Sequence, residues 1–390
     1  MSMDKKVPEI RFKGFGGAWY EVALSSVIDI RSGKDYKHLG KGNIPVYGTG
    51  GYMLSVDSAL SNDDDAIGIG RKGTIDKPCI LRAPFWTVDT LFYAVPFPGF
   101  NLDFLFCLFQ KIEWKKHDES TGVPSLSKIA INNVSVYATN ELEQTAIGNY
   151  FQKLDSLINQ HQQKHDKLSN IKKAILEKMF PKQGETIPEI RFKGFSGGWE
   201  EKVLGDEMTV TSVKRILQSD WTVSGVRFLR ARDIVSAYKN EEPADYLYIA
   251  REKYNEYSQL SGKVEVGDLL VTGVGTIGVP MLITNGEPVY FKDGNIIWFK
   301  NENKIDGMFL FYSFVGDLIQ TYIKHSAGTG TVGTYTINSG KNTPIKLPTR
   351  EEQTAIGNYF QKLDALINQH QQQITKLNNI KQACLSKMFV

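Results

Sequence analysis

Cysteine is scarce in this chain, with three in 390 residues. Cys79, Cys107 and Cys384 show neither metal-ligand nor redox spacing, which argues against a zinc ribbon or a dithiol centre and leaves them as small buried hydrophobes. Two prolines never stand side by side, so the Asp/Asn-Pro-Pro-aromatic motif of amino-methylating DNA enzymes is absent. The Gly-Lys pairs precede Asp35, Gly42, Val264 and Asn342, where a P-loop needs Ser or Thr. Apolar runs are short. None reaches the roughly 18 residues that cross a bilayer, and MSMDKKVPEIRFK holds no apolar signal core, so a cytoplasmic chain without membrane contact is expected. Neither sign of charge dominates: 46 Lys and Arg stand against 43 Asp and Glu, and any basic face must be local. The acidic run Asp63-Asp64-Asp65 reads as a solvated turn rather than a metal cradle.

Glycine is abundant instead, at 35 residues, and it sets a trap. GVGTIG at 273–278 has the spelling of a dinucleotide-binding loop, but such a loop must open a helix whose N-terminal amides hold the pyrophosphate. Here VPMLIT follows, which reads as a strand. GIGRKG at 68–73 and GTGTVG at 328–333 share the spelling and likewise lack a following amphipathic helix, so all three read as hairpin turns.

Comparison of the chain with itself decides the architecture. VPEIRFKGFGGAW at 7–19 returns as IPEIRFKGFSGGW at 187–199, identical at 10 of 13 positions. A longer stretch beginning EQTAIGNYFQKLD at 143–180 returns at 352–389, identical at 30 of 38. The intervening stretches, about 20–138 and 200–348, diverge yet share a Gly-Thr-Ile turn (73–75 and 275–277) and a segment beginning STG at 120 or SAG at 326. The chain is thus a tandem duplication of a variable module followed by a near-constant arm. At 390 residues it exceeds one hydrophobic core.

Both arms read as helices. Asn140 with Glu143, and Thr349 with Glu352, have the spacing of an N-cap and its N3 partner in a capping box. Steps of four and three then place Ile147, Phe151, Leu154, Ile158, His161, His165, Leu168, Lys172, Ile175 and Met179 on one seam. The second arm repeats it with Ile356, Phe360, Leu363, Ile367, His370, Ile374, Leu377, Lys381, Cys384 and Met388. A heptad seam with polar interruptions predicts that the arms pair as an antiparallel coiled coil, the polar members setting register. A helix of about 40 residues is roughly 60 Å long, which suits a spacer. His161 and His165 have metal-ligand spacing, but Ile374 replaces the second in the copy, so packing explains them better than metal. Gly148 and Gly357 in the first turns imply either a loosened start or close backbone packing.

The modules read as mixed α and β. In the first, IPVYGTGGYMLSV, DAIGIGRKGTIDKPCILRA and WTVDTLFYAV are strand-like and LDFLFCLFQKIEWKK is helical. In the second, VRFLRARDIV, GDLLVTGVGTIGVPMLIT and VYFKDGNIIWFK are strand-like and DGMFLFYSFVGDLIQTYIK is helical. The expected organisation is α+β: a module at 1–139, a coiled-coil helix at 140–182, a second module at 183–348 and a second helix at 349–390.

Two divergent modules, each followed by an arm beginning EQTAIGNYFQKLD, together with the EIRFKGF...W lead-in, the GTI turn and the STG/SAG segment, resemble the specificity subunit of a type I restriction-modification system over essentially the whole chain. The resemblance implies two tandem target recognition domains separated by two long antiparallel coiled-coil helices, each domain reading one half of a split site in double-stranded DNA. It implies a non-catalytic chain that binds no cofactor itself. Two methyltransferase subunits, and two nuclease-translocase subunits in the restricting complex, would bring S-adenosylmethionine, ATP and Mg. Phosphate contacts would position each domain and loop side chains would read base edges. The candidates are Lys34, Lys37, Tyr47, Arg71, Lys72, Thr74, Ser125 and Lys128 in the first domain. In the second they are Lys214, Arg215, Arg230, Arg232, Thr276, Lys324, Thr329 and Thr331. Two competing readings are a protein-interaction scaffold with two variable binding modules on a coiled coil, and a stand-alone DNA-modifying enzyme.

Overall fold

The computed structural model describes residues 6–327 and 333–390. The chain forms two compact units, one of Met1–Gln163 with His370–Val390 and the other of Lys164–Gln369. Arm 1 is a single helix, Glu141–Met179, and arm 2 is another, Arg350–Lys387. Each arm therefore gives its first part to the unit that precedes it in the chain and its remainder to the other unit.

Unit one contains an antiparallel four-stranded sheet in the order Ile28–Ser32, Leu91–Pro96, Ala66–Gly70, Cys79–Leu81. A three-stranded sheet orders Gly51–Val56, Lys41–Gly48 and Trp86–Thr87, the last pair parallel. Ala66–Gly70 and Leu91–Pro96 are buried almost throughout, as their continuous apolar character requires. Helix Leu102–Lys111 is capped by Asn101, whose side chain accepts from Phe104 N. It ends at Ile112, and a separate 3₁₀ turn, Trp114–His117, follows, so the stretch read as one helix is two elements. Asp64 and Asp65 of the acidic run face Arg31 and Arg82, at 3.0 Å and 2.6 Å.

Unit two repeats the order of the first sheet with different residues and adds a strand to the second. Its first sheet runs Thr209–Thr211, Ile296–Lys300, Leu269–Thr272, Pro280–Leu282, again antiparallel. Its second runs Trp221–Thr222, Leu247–Ile249, Val226–Leu229, Val289–Phe291, again closing on a parallel pair. GVGTIG lies between strands Leu269–Thr272 and Pro280–Leu282, so it joins two strands and opens no helix. Two expectations need correction. VRFLRARDIV is a strand only to Leu229, after which Asp233 accepts from Arg230 N and starts helix Ala231–Tyr238. The helical stretch from Gly307 breaks at Gly316 into Gly307–Val315 and Asp317–Ser326.

The lead-in and the arm meet in the same way in each unit. Arg11 donates to Glu143 at 2.5 Å and 2.6 Å, and to the carbonyls of Gly16 and Gly17. Arg191 donates to Glu352 at 2.7 Å and 2.6 Å, and to those of Ser196 and Gly197. The string Gly194–Gly198 spells G-x-S-x-G, yet it forms this turn around Arg191 and not the strand-to-helix elbow of a hydrolase. The capping boxes are therefore half-formed. Asn140 accepts from Glu143 N at 3.0 Å and Thr349 from Glu352 N at 3.4 Å, while both Glu carboxylates turn to arginine. The neighbouring Gln144 accepts from Asn101 N and donates to Thr139 O, and Gln353 does the same with Asp306 N and Pro348 O.

Close packing accounts for the two arm glycines. A Cβ on Gly148 would stand 2.4 Å from Asn101 Oδ1 and 3.1 Å from Phe104 N, and one on Gly357 would stand 2.8 Å from Asp306 Oδ1 and 3.1 Å from Phe309 N. Each arm thus lies against the capped start of its module's helix. At the opposite end Phe389 packs on Trp19, Phe104 and Phe151 in unit one, and Phe180 packs on Trp199, Phe309 and Phe360 in unit two.

Within each unit the arms run antiparallel along the expected seam. Ile147, Phe151, Leu154, Ile374 and Met388 are buried in unit one, and Ile158 and Leu377 are half-buried. Met179, Ile356, Phe360 and Leu363 are buried in unit two, and Leu168, Ile175 and Ile367 are half-buried. The polar seam members have partners. Lys381 meets Asp155 at 2.7 Å, Lys172 meets Asp364 at 2.6 Å, and the Nδ1 atoms of His161 and His370 are 2.9 Å apart. His165 contacts Asp166 instead.

Arg11→Met leaves the Glu143 carboxylate buried without its cation, and should cost about 3 kcal/mol or more. Gly148→Ala forces helix Leu102–Lys111 off arm 1 and should cost about 1–3 kcal/mol. Both should lower the denaturant midpoint of unit one, and Arg191→Met and Gly357→Ala that of unit two. An unchanged midpoint for Arg11→Met would show that the ion pair contributes nothing.

Candidate nucleic-acid interface

In unit one, three segments converge on residues 87–91, the turn leading into strand Leu91–Pro96. Gly33 N donates to Leu91 O, Lys34 N to Thr87 O, Val88 N to Tyr47 O and Arg71 N to Thr90 O, at 2.8–3.2 Å. The Gly-Thr-Ile turn then carries the STG segment: Gly73 N donates to Pro124 O at 2.8 Å and Leu126 N to Arg71 O at 2.9 Å, while Lys72 bridges Ser125. The turn itself requires glycine at position 70, since a Cβ there would stand 2.0 Å from Thr74 O. Asp118 stiffens the STG segment by accepting from Ser120 N and Ser125 N at 2.9 Å each, and these bonds hold its carboxyl below the usual range.

This frame gathers Lys34, Tyr47, Arg71, Lys72, Thr74 and Ser125 on one neighbourhood. Lys34, Arg71 and Lys72 are exposed and the others half-buried. Arg71 Nη1 donates to Asp89 O at 3.4 Å and its guanidinium lies 5.8 Å from the Phe92 ring centre, so its charge is aimed by local contacts. Lys128 stands at the start of a short helix, Lys128–Asn132, capped by Ser127, and Lys37 is exposed in the loop after strand Ile28–Ser32.

Unit two repeats two of these backbone bonds. Gly273 N donates to Asn295 O and Tyr335 N to Gly273 O, both at 2.8 Å, matching the bonds of Arg71 with Thr90 and Leu126. Gly273 and Val274 thus stand where unit one has Arg71 and Lys72. Thr276 is exposed at the turn, and its carbonyl accepts from Thr272 Oγ1 at 2.5 Å. Charge enters from other elements. Lys214 Nζ sits 4.4 Å from the Tyr257 ring centre, and Arg215 pairs with Asp293 at 2.8 Å. Arg230 is largely buried and held by Asp233 and Asp245; its hydrogen bonds to Asp233 push its pKa up. Arg232 is exposed and also reaches Asp245, and Lys324 is exposed on helix Asp317–Ser326. Thr329 and Thr331 lie outside the described residues.

Sequence reasoning overlooked Thr90 and Asn295, whose carbonyls anchor the two frames. It also overlooked Arg227, whose guanidinium carbon lies 4.0 Å from the Tyr246 ring centre and 5.8 Å from that of Tyr248. Alternation along strand Val226–Leu229 was the available signal, since it sets Arg227 on the face opposite buried Val226 and Phe228.

Residues 198–379 match the family described as the type I restriction modification DNA specificity domain. The type I restriction enzyme MjaVIII specificity subunit of Methanocaldococcus jannaschii is 24% identical over 288 residues, which span 70% of this chain and 66% of that protein's length. The crystal structure of a type I restriction-modification S subunit from M. genitalium superposes with a TM-score of 0.65 at 15% identity, covering 98% of this chain and 99% of that one. No helix among the described residues is long and apolar enough to cross a membrane. Residues 198–379 therefore carry a type I restriction modification DNA specificity domain, and the chain as a whole shares the fold of that S subunit.

Proposed function

We propose that this chain is the non-catalytic DNA-reading subunit of a cytoplasmic type I restriction-modification complex, with each unit reading one half of a bipartite site in double-stranded DNA. The duplicated turn frame carries this reading: the same backbone bonds present Arg71 and Lys72 in one unit and Gly273 and Val274 in the other. Two modules of one topology but different surface chemistry suit a ligand with two different half-sites. In unit one, Lys34, Arg71 and Lys72 would contact phosphates or guanine edges, with Tyr47 and Ser125 beside them. In unit two, Lys214, Arg215 and Thr276 take those places.

The arms dock two methyltransferase subunits, which supply S-adenosylmethionine-dependent adenine methylation. Two nuclease-translocase subunits add ATP- and Mg-dependent restriction. The near-identity of the arms supports two equal partners, because outward residues repeat with the helix.

Binding should weaken steeply with salt as counterion release loses its drive. Arg71→Ala with Lys72→Ala should flatten the slope of log K against log salt by roughly 1–2 for duplexes containing the site. A salt-independent association would instead favour a protein-interaction scaffold.

A second measurement reads the half-sites directly. Replacing residues 20–138 by the corresponding module of a relative should change one half of the methylated sequence and leave the other intact, as mapped by methylome sequencing. A swap that alters both halves, or neither, contradicts one module per half-site.

A further inference from the structure

Two large apolar side chains stand bare at the end of one hairpin in unit one. Tyr52 is 63% exposed and Met53 49% exposed, at the start of strand Gly51–Val56. Successive residues of a strand point to opposite faces, so exposure of both means that neither face of the hairpin is covered there. The turn projects into open space: Gly48 pairs with Gly51 across Thr49 and Gly50, and a Cβ on Gly50 or Gly51 would meet no heavy atom within 4 Å. Single exposed apolar residues are ordinary on a protein surface. This pair, however, lies on the edge strand of its sheet, and GYMLSV carries no charge to guard that edge.

The root of the hairpin is the turn that gathers the cations. Val88 N donates to Tyr47 O at 3.0 Å, and Lys34 N to Thr87 O at 2.9 Å. A Cβ on Gly48 would stand 2.8 Å from Met53 Sδ and 3.5 Å from Val88 Cγ2, so Met53 lies beside that turn. The Tyr52 ring centre is 6.4 Å from that of Tyr47. On the exposed segment leading into the hairpin, Lys34, Lys37 and Lys41 outnumber Asp35. A ligand that meets this surface offers anionic groups to the lysines and flat apolar faces to the tip. Base pairs stacked between two phosphate backbones have that composition, whereas a peptide added to the edge strand would engage its backbone and has no need of the lysines.

Unit two provides the contrast. Val46 pairs with Leu54 on one side and Trp86 on the other, and Phe228 pairs with Leu247 and Tyr290 in the same way. Tyr246, one residue before Leu247, therefore stands where Met53 stands before Leu54. It is 45% exposed, but the Arg227 guanidinium lies on its ring, and helix Ala231–Tyr238 takes the place of the tight turn. The bare projecting tip belongs to unit one.

We infer that Tyr52 and Met53 form a wedge that enters one base step of the half-site read by unit one, Met53 separating the bases and Tyr52 stacking on the face so exposed. The inference rests on the functional reading above and deepens it: the cations hold the backbone while the tip deforms the duplex. Sequence at that step is then read through the ease of unstacking, which favours a pyrimidine–purine step. The deformation falls on one half-site and not on the other.

The test uses the chain assembled with its methyltransferase subunits and a duplex carrying the sequence found by methylome mapping, with 2-aminopurine placed in turn at each purine other than the methylated adenines. Wild type should raise the fluorescence at one step of the half-site of unit one and at none in the other half. Tyr52→Ala with Met53→Ala should abolish the rise and weaken binding about tenfold. Tyr52→Phe with Met53→Leu, which keeps the apolar bulk, should restore both, whereas a general loss of structure in the hairpin would leave them lost. Bound wild type without a rise at any step would overturn the wedge alone and leave the edge strand to a peptide. A rise that persists in the alanine variant, or a loss that Tyr52→Phe with Met53→Leu does not restore, would overturn it as well. A wild-type complex that does not bind the duplex would overturn the functional reading and the wedge with it.

Discussion

Each unit closes around one ion pair that water scarcely reaches. The side chains of Glu143 and Glu352 are 0% and 1% exposed, and those of Arg11 and Arg191 are 12% and 14% exposed. Such a pair is costly to bury and strongly destabilising to break, so its main effect is to select one arrangement over others. That arrangement is extensive. The guanidinium fork spans the carboxylate and two turn carbonyls, joining the lead-in to the first turn of the arm, and in unit one Glu143 also accepts from Thr139 beside the last strand. Gln144 and Gln353, one residue later, tie the same turn to the start of the module's helix. The repeated spellings EIRFKGF and EQTAIG are two sides of one junction, which explains why they return together.

What was legible in the sequence follows from that junction and from periodicity. The seam, the helical arms and the strand-turn-strand setting of GVGTIG could be read because apolar spacing and glycine chemistry act locally. The partner of Glu143 could not, because a capping box and a long-range ion pair use the same glutamate, and only the fold brings position 11 to position 143. Gly148 was ambiguous for the same reason: its neighbour is Asn101, 47 positions away. The breaks at Leu229 and Gly316 were missed because apolar residues continue across them, and periodicity alone does not separate a strand that ends from a helix that begins.

The candidate interface shows the same division. Arg71, Lys72 and Ser125 could be grouped because the glycine turn and the STG segment recur at similar depth in both modules. Arg230 illustrates the limit: as a letter it is a free cation, but in the fold it is enclosed by two carboxylates. Exposure and pairing are properties of the neighbours, and those neighbours come from Asp245 fifteen residues on as well as from Asp233 in the same turn.

The turn frame also bears on how two modules of one topology can differ so widely. Its bonds run between backbone N–H and C=O groups, which almost every residue type supplies, so the frame tolerates Arg and Lys in one unit and Gly and Val in the other. The constraint falls instead on close approaches such as Gly70 against the Thr74 carbonyl, where any Cβ would overlap. Side chains projecting from the frame are released from folding duty, whereas those of the junction are bound to it. Divergence in the modules and constancy in the lead-in and first turns of the arms are therefore consequences of where side chains, rather than backbone, carry the structure.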